Sequence, residues 1–101
     1  MIIHIDYIED KAIMKVEGMI NGESSFKLQD RLKEVLDSGV NKLDIDFSEC
    51  RSISSTGIGK LLIFYKTYLK TDKELRIVKC SENMFNLFNK IRFDQLIDIK
   101  R

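Results

Sequence analysis

Apolar and polar positions alternate from the start of the chain. Ile3, Ile5 and Tyr7 are interleaved with His4, Asp6 and Ile8, the period of two expected of a half-buried strand. After the polar run Glu9-Asp10-Lys11, the segment Ala12-Ile13-Met14-Lys15-Val16-Glu17 alternates again and stops at Gly18. Two such runs about a tight turn predict an antiparallel hairpin. From Gly22 to Ser38 the period changes: Leu28, Leu32, Val35 and Leu36 fall at helical spacing, with charged residues between them. Gly39 stands where a helix C-cap glycine belongs, and Phe26 lies off the stripe, either covering the helix start or facing outward. Leu43-Asp44-Ile45-Asp46-Phe47 predicts a third strand, followed by a loop from Ser48 to Ile53. A second helix is expected from Ser55 to Lys70, burying Ile58, Leu61, Leu62, Tyr65 and Leu69, with Asp72-Lys73 ending it. Leu75 to Cys80 reads as a fourth strand. Met84, Leu87, Phe88 and Ile91 mark a third helix, and Leu96-Ile97-Asp98-Ile99 a short last strand.

The order is β-β-α-β-α-β-α-β, an α/β arrangement. Strands that alternate with helices imply right-handed crossovers between parallel neighbours. The expectation is a single small mixed β-sheet packed by helices, opened by an antiparallel hairpin. At 101 residues the chain is one domain, residues 1–101. Its 44% hydrophobic and 33% charged content suits a folded domain. Lys plus Arg number 17 and Asp plus Glu 16, a net charge of +1, which removes the electrostatic case for direct nucleic-acid binding. No apolar stretch approaches the roughly 20 residues of a membrane helix, so membrane insertion is not expected. The start of the chain carries no secretion signal pattern, and the expected location is cytoplasmic.

Candidate enzyme chemistry is sparse. The one histidine, His4, lies within a strand, which excludes a histidine metal cluster, and no serine sits in a glycine elbow. Neither a phosphate-binding loop nor a dinucleotide fingerprint occurs; Gly57-Ile58-Gly59 supplies only part of one. Asp44 and Asp46 share one strand face and could share a proton, although a solvated edge, or a strand end near a loop, accounts for them more simply. Cys50 and Cys80, 30 positions apart, make neither a metal site nor a disulfide framework, and read as buried thiols. No catalytic residue, cofactor or metal ligand is assigned.

The informative segment is Ile53-Ser54-Ser55-Thr56-Gly57-Ile58-Gly59, which opens the second helix. A hydroxyl there can accept from the unpartnered amides of the first turn. Two glycines inside that turn cost roughly 0.5–1 kcal/mol each against alanine, so close packing or a bare surface must account for them. A phosphate on such a hydroxyl would add about −1.5 to −2 charges at a position where the helix dipole favours anions. Ile63 falls away from the expected buried stripe, near Gly59, Lys66 and Lys70, as an apolar anchor with a basic rim.

This order of elements, with Asp46-Phe47-Ser48 ending a strand and Ile53 to Gly59 starting a helix, resembles the STAS domain of bacterial anti-sigma factor antagonists. That family shows Asp-Ser-(Ser/Thr)-Gly-(Leu/Ile)-Gly at this point. Val16-Glu17-Gly18-Met19-Ile20-Asn21 resembles its Gly-Glu-(Leu/Ile)-Asp segment, Leu28 and Leu32 match leucines of its first helix, and Leu87 to Ile99 resembles its third helix and last strand. The resemblance implies a non-enzymatic regulator that works by partner switching. Unphosphorylated, such a protein binds an anti-sigma factor with serine kinase activity and frees a sigma factor; phosphorylation breaks the complex, and a PP2C-type phosphatase restores it. By position the phosphoacceptor is Ser55, with Thr56 and Ser54 as the neighbouring hydroxyls. The partner surface comprises Asn21, Ser54, Ser55, Thr56, Gly57 and Ile63. A monomer or weak dimer is expected. Ser54 replaces the family's Asp before the phosphoacceptor, Asn21 replaces an acidic residue, and no counterpart of the family's C-terminal helix is expected after the last strand, either because the family member is short or because the helix lies outside this sequence. The Ser54 replacement also leaves open a STAS interaction subunit of a stress-signalling or lipid-transport assembly that is not phosphorylated.

Overall fold

A computed structural model describes residues 1–101. Its elements are β1 (Ile2–Ile8), β2 (Lys11–Ile20), α1 (Ser24–Ser38), β3 (Lys42–Ile53), α2 (Ser55–Lys70), β4 (Glu74–Cys80), α3 (Glu82–Lys90) and β5 (Asp98–Ile99), with a 3-10 turn at Phe93–Gln95 before β5. The five strands form one sheet in the order β1-β2-β3-β4-β5. β1 pairs antiparallel with β2, and the remaining pairs are parallel. Each crossover advances one strand in the same direction, so right-handed connections place all three helices on one face.

That face carries the core. Ala12, Met14 and Val16 of β2, Leu43, Ile45 and Phe47 of β3, and Leu75 and Ile77 of β4 are buried beneath Leu28, Leu32 and Val35 of α1, Leu61, Phe64 and Tyr68 of α2, and Met84 and Phe88 of α3. Gly39 adopts the left-handed conformation at φ 81°, as its C-cap position predicts. Phe26 faces outward, 58% exposed, with the Lys60 ammonium 4.6 Å from its ring centre.

Several expectations are corrected. First, β3 does not end at Phe47: Ser48 to Ile53 continue as strand, pairing with β2 through Glu17–Glu49, Gly18–Cys50 and Ile20–Ile53. Two register shifts interrupt this ladder, and burial returns only at Phe47, Cys50 and Ile53, so the segment has no period of two to read. β2 likewise runs past Gly18, which takes φ 103°, a conformation glycine adopts without strain. Second, α2 buries Gly57, Leu61, Phe64 and Tyr68; Ile58, Leu62 and Tyr65 are only partly covered, and Leu69 is 61% exposed. A glycine belonging to the buried face turns that face about the helix axis. Third, Asp44 is no solvated edge. It is 5% exposed at the middle of the sheet's open face, gripped by Arg76 through two hydrogen bonds of 2.9 Å and by the Lys11 ammonium at 3.1 Å. At the chain's end only Asp98 and Ile99 pair as strand, and Ile91 and Leu96 are exposed.

Candidate functional site

The loops after β2 and β3 meet at the carboxyl ends of two adjacent parallel strands, the region where open α/β sheets present their sites. Ser54 ties them together: its backbone N–H donates to the Ile20 carbonyl at 2.7 Å. It is also the N-cap of α2. In an extended conformation (φ −77°, ψ 165°), its Oγ accepts from the Gly57 N–H at 3.1 Å, and its carbonyl accepts from the Ile58 N–H at 2.9 Å. The substitution of serine for the family's aspartate therefore keeps the cap. Asn21 does the same work one loop away. Its Oδ1 accepts from the Ser24 N–H, its own N–H donates to Ser24 Oγ, both at 2.8 Å, and Ser24 Oγ donates to the Met19 carbonyl.

Ser55 and Thr56, the first two residues of α2, are both exposed. Their amides belong to the first turn and have no intrahelical partner. No acidic residue lies in that turn, so the positive end of the helix dipole is uncompensated there.

The two glycines of the motif have different reasons. Gly57 faces inward, where a Cβ would stand 2.7 Å from Ile53 Cγ1 and 2.8 Å from Ile20 Cγ2. Its bareness lets α2 lie close on the sheet, and it offers a partner no surface of its own. A Cβ on Gly59 would meet nothing within 4 Å. Ser55, Gly59 and Ile63 recur every four residues, so they line one outward stripe of α2 over about 12 Å. Ile63 is 65% exposed. Beside it, a groove of about 240 Å³ runs between α1 and α2, floored by Leu32, Leu36, Ile63 and Phe64 and edged by Lys33 and Lys60.

The structure thus brings Asn21, Ser54, Ser55 and Thr56 to one end of the molecule, extends Ile63 along the same helix, and turns Gly57 inside. Sequence reasoning did not single out Met19, 52% exposed two residues before Asn21, or Lys60, and it placed Phe26 in no site. Phe26 carried a signal as an apolar residue off its helix's buried stripe. Cys50 and Cys80 are free and buried, and burial pushes both thiols above their ordinary range, which makes them poor nucleophiles.

The fold is shared with solved structures of anti-sigma factor antagonists. Unphosphorylated SpoIIAA superposes with a TM-score of 0.83 at 9% identity, covering 99% of this chain and 89% of that one. An anti-sigma factor antagonist from Mycobacterium paratuberculosis gives 0.87 at 16% identity, with 97% and 83% covered. The phosphorylated form of the Bacillus cell fate determinant SpoIIAA gives 0.76 at 10% identity, with 99% and 92% covered. A family model described as "Mlab, STAS domain" matches residues 3–98. With its mixed sheet, one-sided helical layer and serine-capped second helix, the chain belongs to the STAS-domain family.

Proposed function

We propose that this protein is an anti-sigma factor antagonist. Its unphosphorylated form binds an anti-sigma factor with serine kinase activity through the Ser55 end of α2 and so releases a sigma factor. The kinase phosphorylates Ser55, which ends the binding, and a PP2C-type phosphatase reverses the mark. The observation that carries this reading is an exposed hydroxyl at the first position of α2, on one line with exposed Ile63. The chain can hold an anion there, because the dipole and free amides favour it. A partner seated on Ser55 would have to bury that charge, which costs several kcal/mol when unpaired. Driving a partner from almost fully bound to almost fully free takes about 5.5 kcal/mol, and a doubly charged group at the centre of an interface can supply most of it.

The test is titration of the cognate anti-sigma factor kinase with the wild-type protein and with Ser55→Asp. At least a tenfold loss of affinity is expected with folding intact, and equal affinity removes Ser55 from the role. A second reading is favoured by Ser54 standing where the family has aspartate: a STAS interaction subunit of a stress-signalling or lipid-transport assembly, binding without phosphorylation. Mass spectrometry after incubation with the kinase and ATP separates the two, since only the first gains one phosphate, on Ser55.

A further inference from the structure

We propose that β1 is a self-association edge, on which a second copy of this chain pairs its own β1 antiparallel across a two-fold axis at Ile5. This does not rest on the reading of Ser55. β1 is the outermost strand, and its pairing with β2 runs from Ile2–Glu17 to Ile8–Lys11 without a register shift. Its outer side is therefore a straight row of backbone groups without a strand partner, of which the Ile3 carbonyl takes one side-chain donor, Arg31 Nη2 at 3.4 Å. Proteins blunt such edges with proline, lysine, bulges or very short strands, and residues 2 to 8 contain none of these. The opposite edge, β5, is only two residues long.

The parity of the edge follows from its turn. Glu9 and Asp10 form a two-residue turn, with Glu9 at φ 54°, which makes Ile8 and Lys11 the hydrogen-bonded closing pair. The backbone groups of Ile8, Asp6, His4 and Ile2 are thus used by β2, and those of Ile3, Ile5 and Tyr7 look outward. In agreement, Arg31 Nη2 reaches the Ile3 carbonyl from α1 at 3.4 Å.

Centring the axis on Ile5 sets Ile2 opposite Ile8, Ile3 opposite Tyr7 and His4 opposite Asp6, each pair occurring twice. Ile2, Tyr7 and Ile8 are 54%, 48% and 55% exposed, and in this register each meets an apolar partner. The two polar side chains meet as a nitrogen donor and a carboxylate. Moving the axis to Asp6 would oppose two carboxylates, and moving it to His4 would set Asp6 against Ile2. An odd offset would oppose outward-looking groups to ones β2 already uses. The edge is complementary to itself in one register, as an isologous contact requires. The product is one continuous sheet.

A single strand pair is a small interface, so association is weak. Sedimentation equilibrium of the full chain from about 10 μM to about 1 mM should show a monomer–dimer equilibrium. Asp6→Lys removes the carboxylate that faces the His4 ring and puts an ammonium donor in its place at both pairs, and should weaken it at least tenfold. The exchange His4→Asp with Asp6→His recreates the pairs in reverse order and should restore it. Amide exchange of the wild type supplies a readout free of mutation: the Ile3, Ile5 and Tyr7 amides should slow selectively as concentration rises. A wild type that stays monomeric to 1 mM, or a dimer indifferent to Asp6→Lys, overturns the proposal.

Discussion

Gly57 and Gly59 are two residues apart in one helical turn, yet substitution should move stability in opposite directions. Gly57→Ala drives a methyl to within 2.8 Å of two isoleucines that branch at Cβ and cannot swing aside easily. Overpacking of this kind should destabilise the fold by about 1–2 kcal/mol in urea unfolding. Gly59→Ala meets open space and gains helix propensity, so it should stabilise by about 0.5–1 kcal/mol. Asp44 makes a different prediction. Burial pushes its carboxyl upward, but the hydrogen bonds and charges of Arg76 and Lys11 outweigh that and hold it below the ordinary carboxylate value. A lowered folded-state value means that the ionised carboxylate stabilises the fold at pH values above the ordinary value of about 3.9. That contribution is lost as the pH falls through the lower, folded-state value. Unfolding measured from pH 7 to pH 2 should therefore show an acid-side loss of stability that shrinks in Asp44→Asn, while Asp44→Asn is the less stable protein at pH 7.

The elements themselves were legible wherever one periodicity ran without interruption. The hairpin, α1 with its Gly39 cap, the start of β3 and the Ser54 cap could all be read from spacing, because one face of each is buried and the other wet. The failures share a cause: the local pattern was overridden by a neighbour. β3 continues through Ser48 to Ile53 because β2 is there to pair with it, and its register shifts erase the alternation that would have announced it. In α2, scoring only large apolar residues hid the true stripe, since Gly57 belongs to it by virtue of lacking a side chain. Asp44 looked solvated because a carboxylate in an alternating strand usually is. Its cover comes from β2 and β4, through Lys11 and Arg76, 33 and 32 positions away in sequence. Of the candidate site, the capping serine and the exposed hydroxyls were readable from helix-start chemistry. The α1–α2 groove was not, because it exists only once two helices lie side by side.

Putting every helix on one face gives the molecule a rigid packed side and leaves the Ser55 end of α2 outside the core. Ser55 touches solvent at the tip of α2, while the load of packing falls on Gly57, Leu61, Phe64 and Tyr68 of the same helix. A switch of the proposed kind requires that separation, since a mark that loosened the fold would lose partner and protein together. The separation can be measured with the substitution that tests partner binding. In Ser55→Asp the new carboxylate stands on the first turn of α2, which has no acidic residue, and opposite in sign to the helix end. The expected outcome is unchanged or increased stability, up to about 1 kcal/mol in urea unfolding at low salt. The gain should shrink at 1 M salt, where the screening length falls to about 3 Å. Weakened partner binding alongside such a gain would place the cost of the charge entirely in the interface. A variant that instead lost more than about 1 kcal/mol would show that the anion disturbs the packing beneath Gly57, and the division of labour along α2 would have to be abandoned.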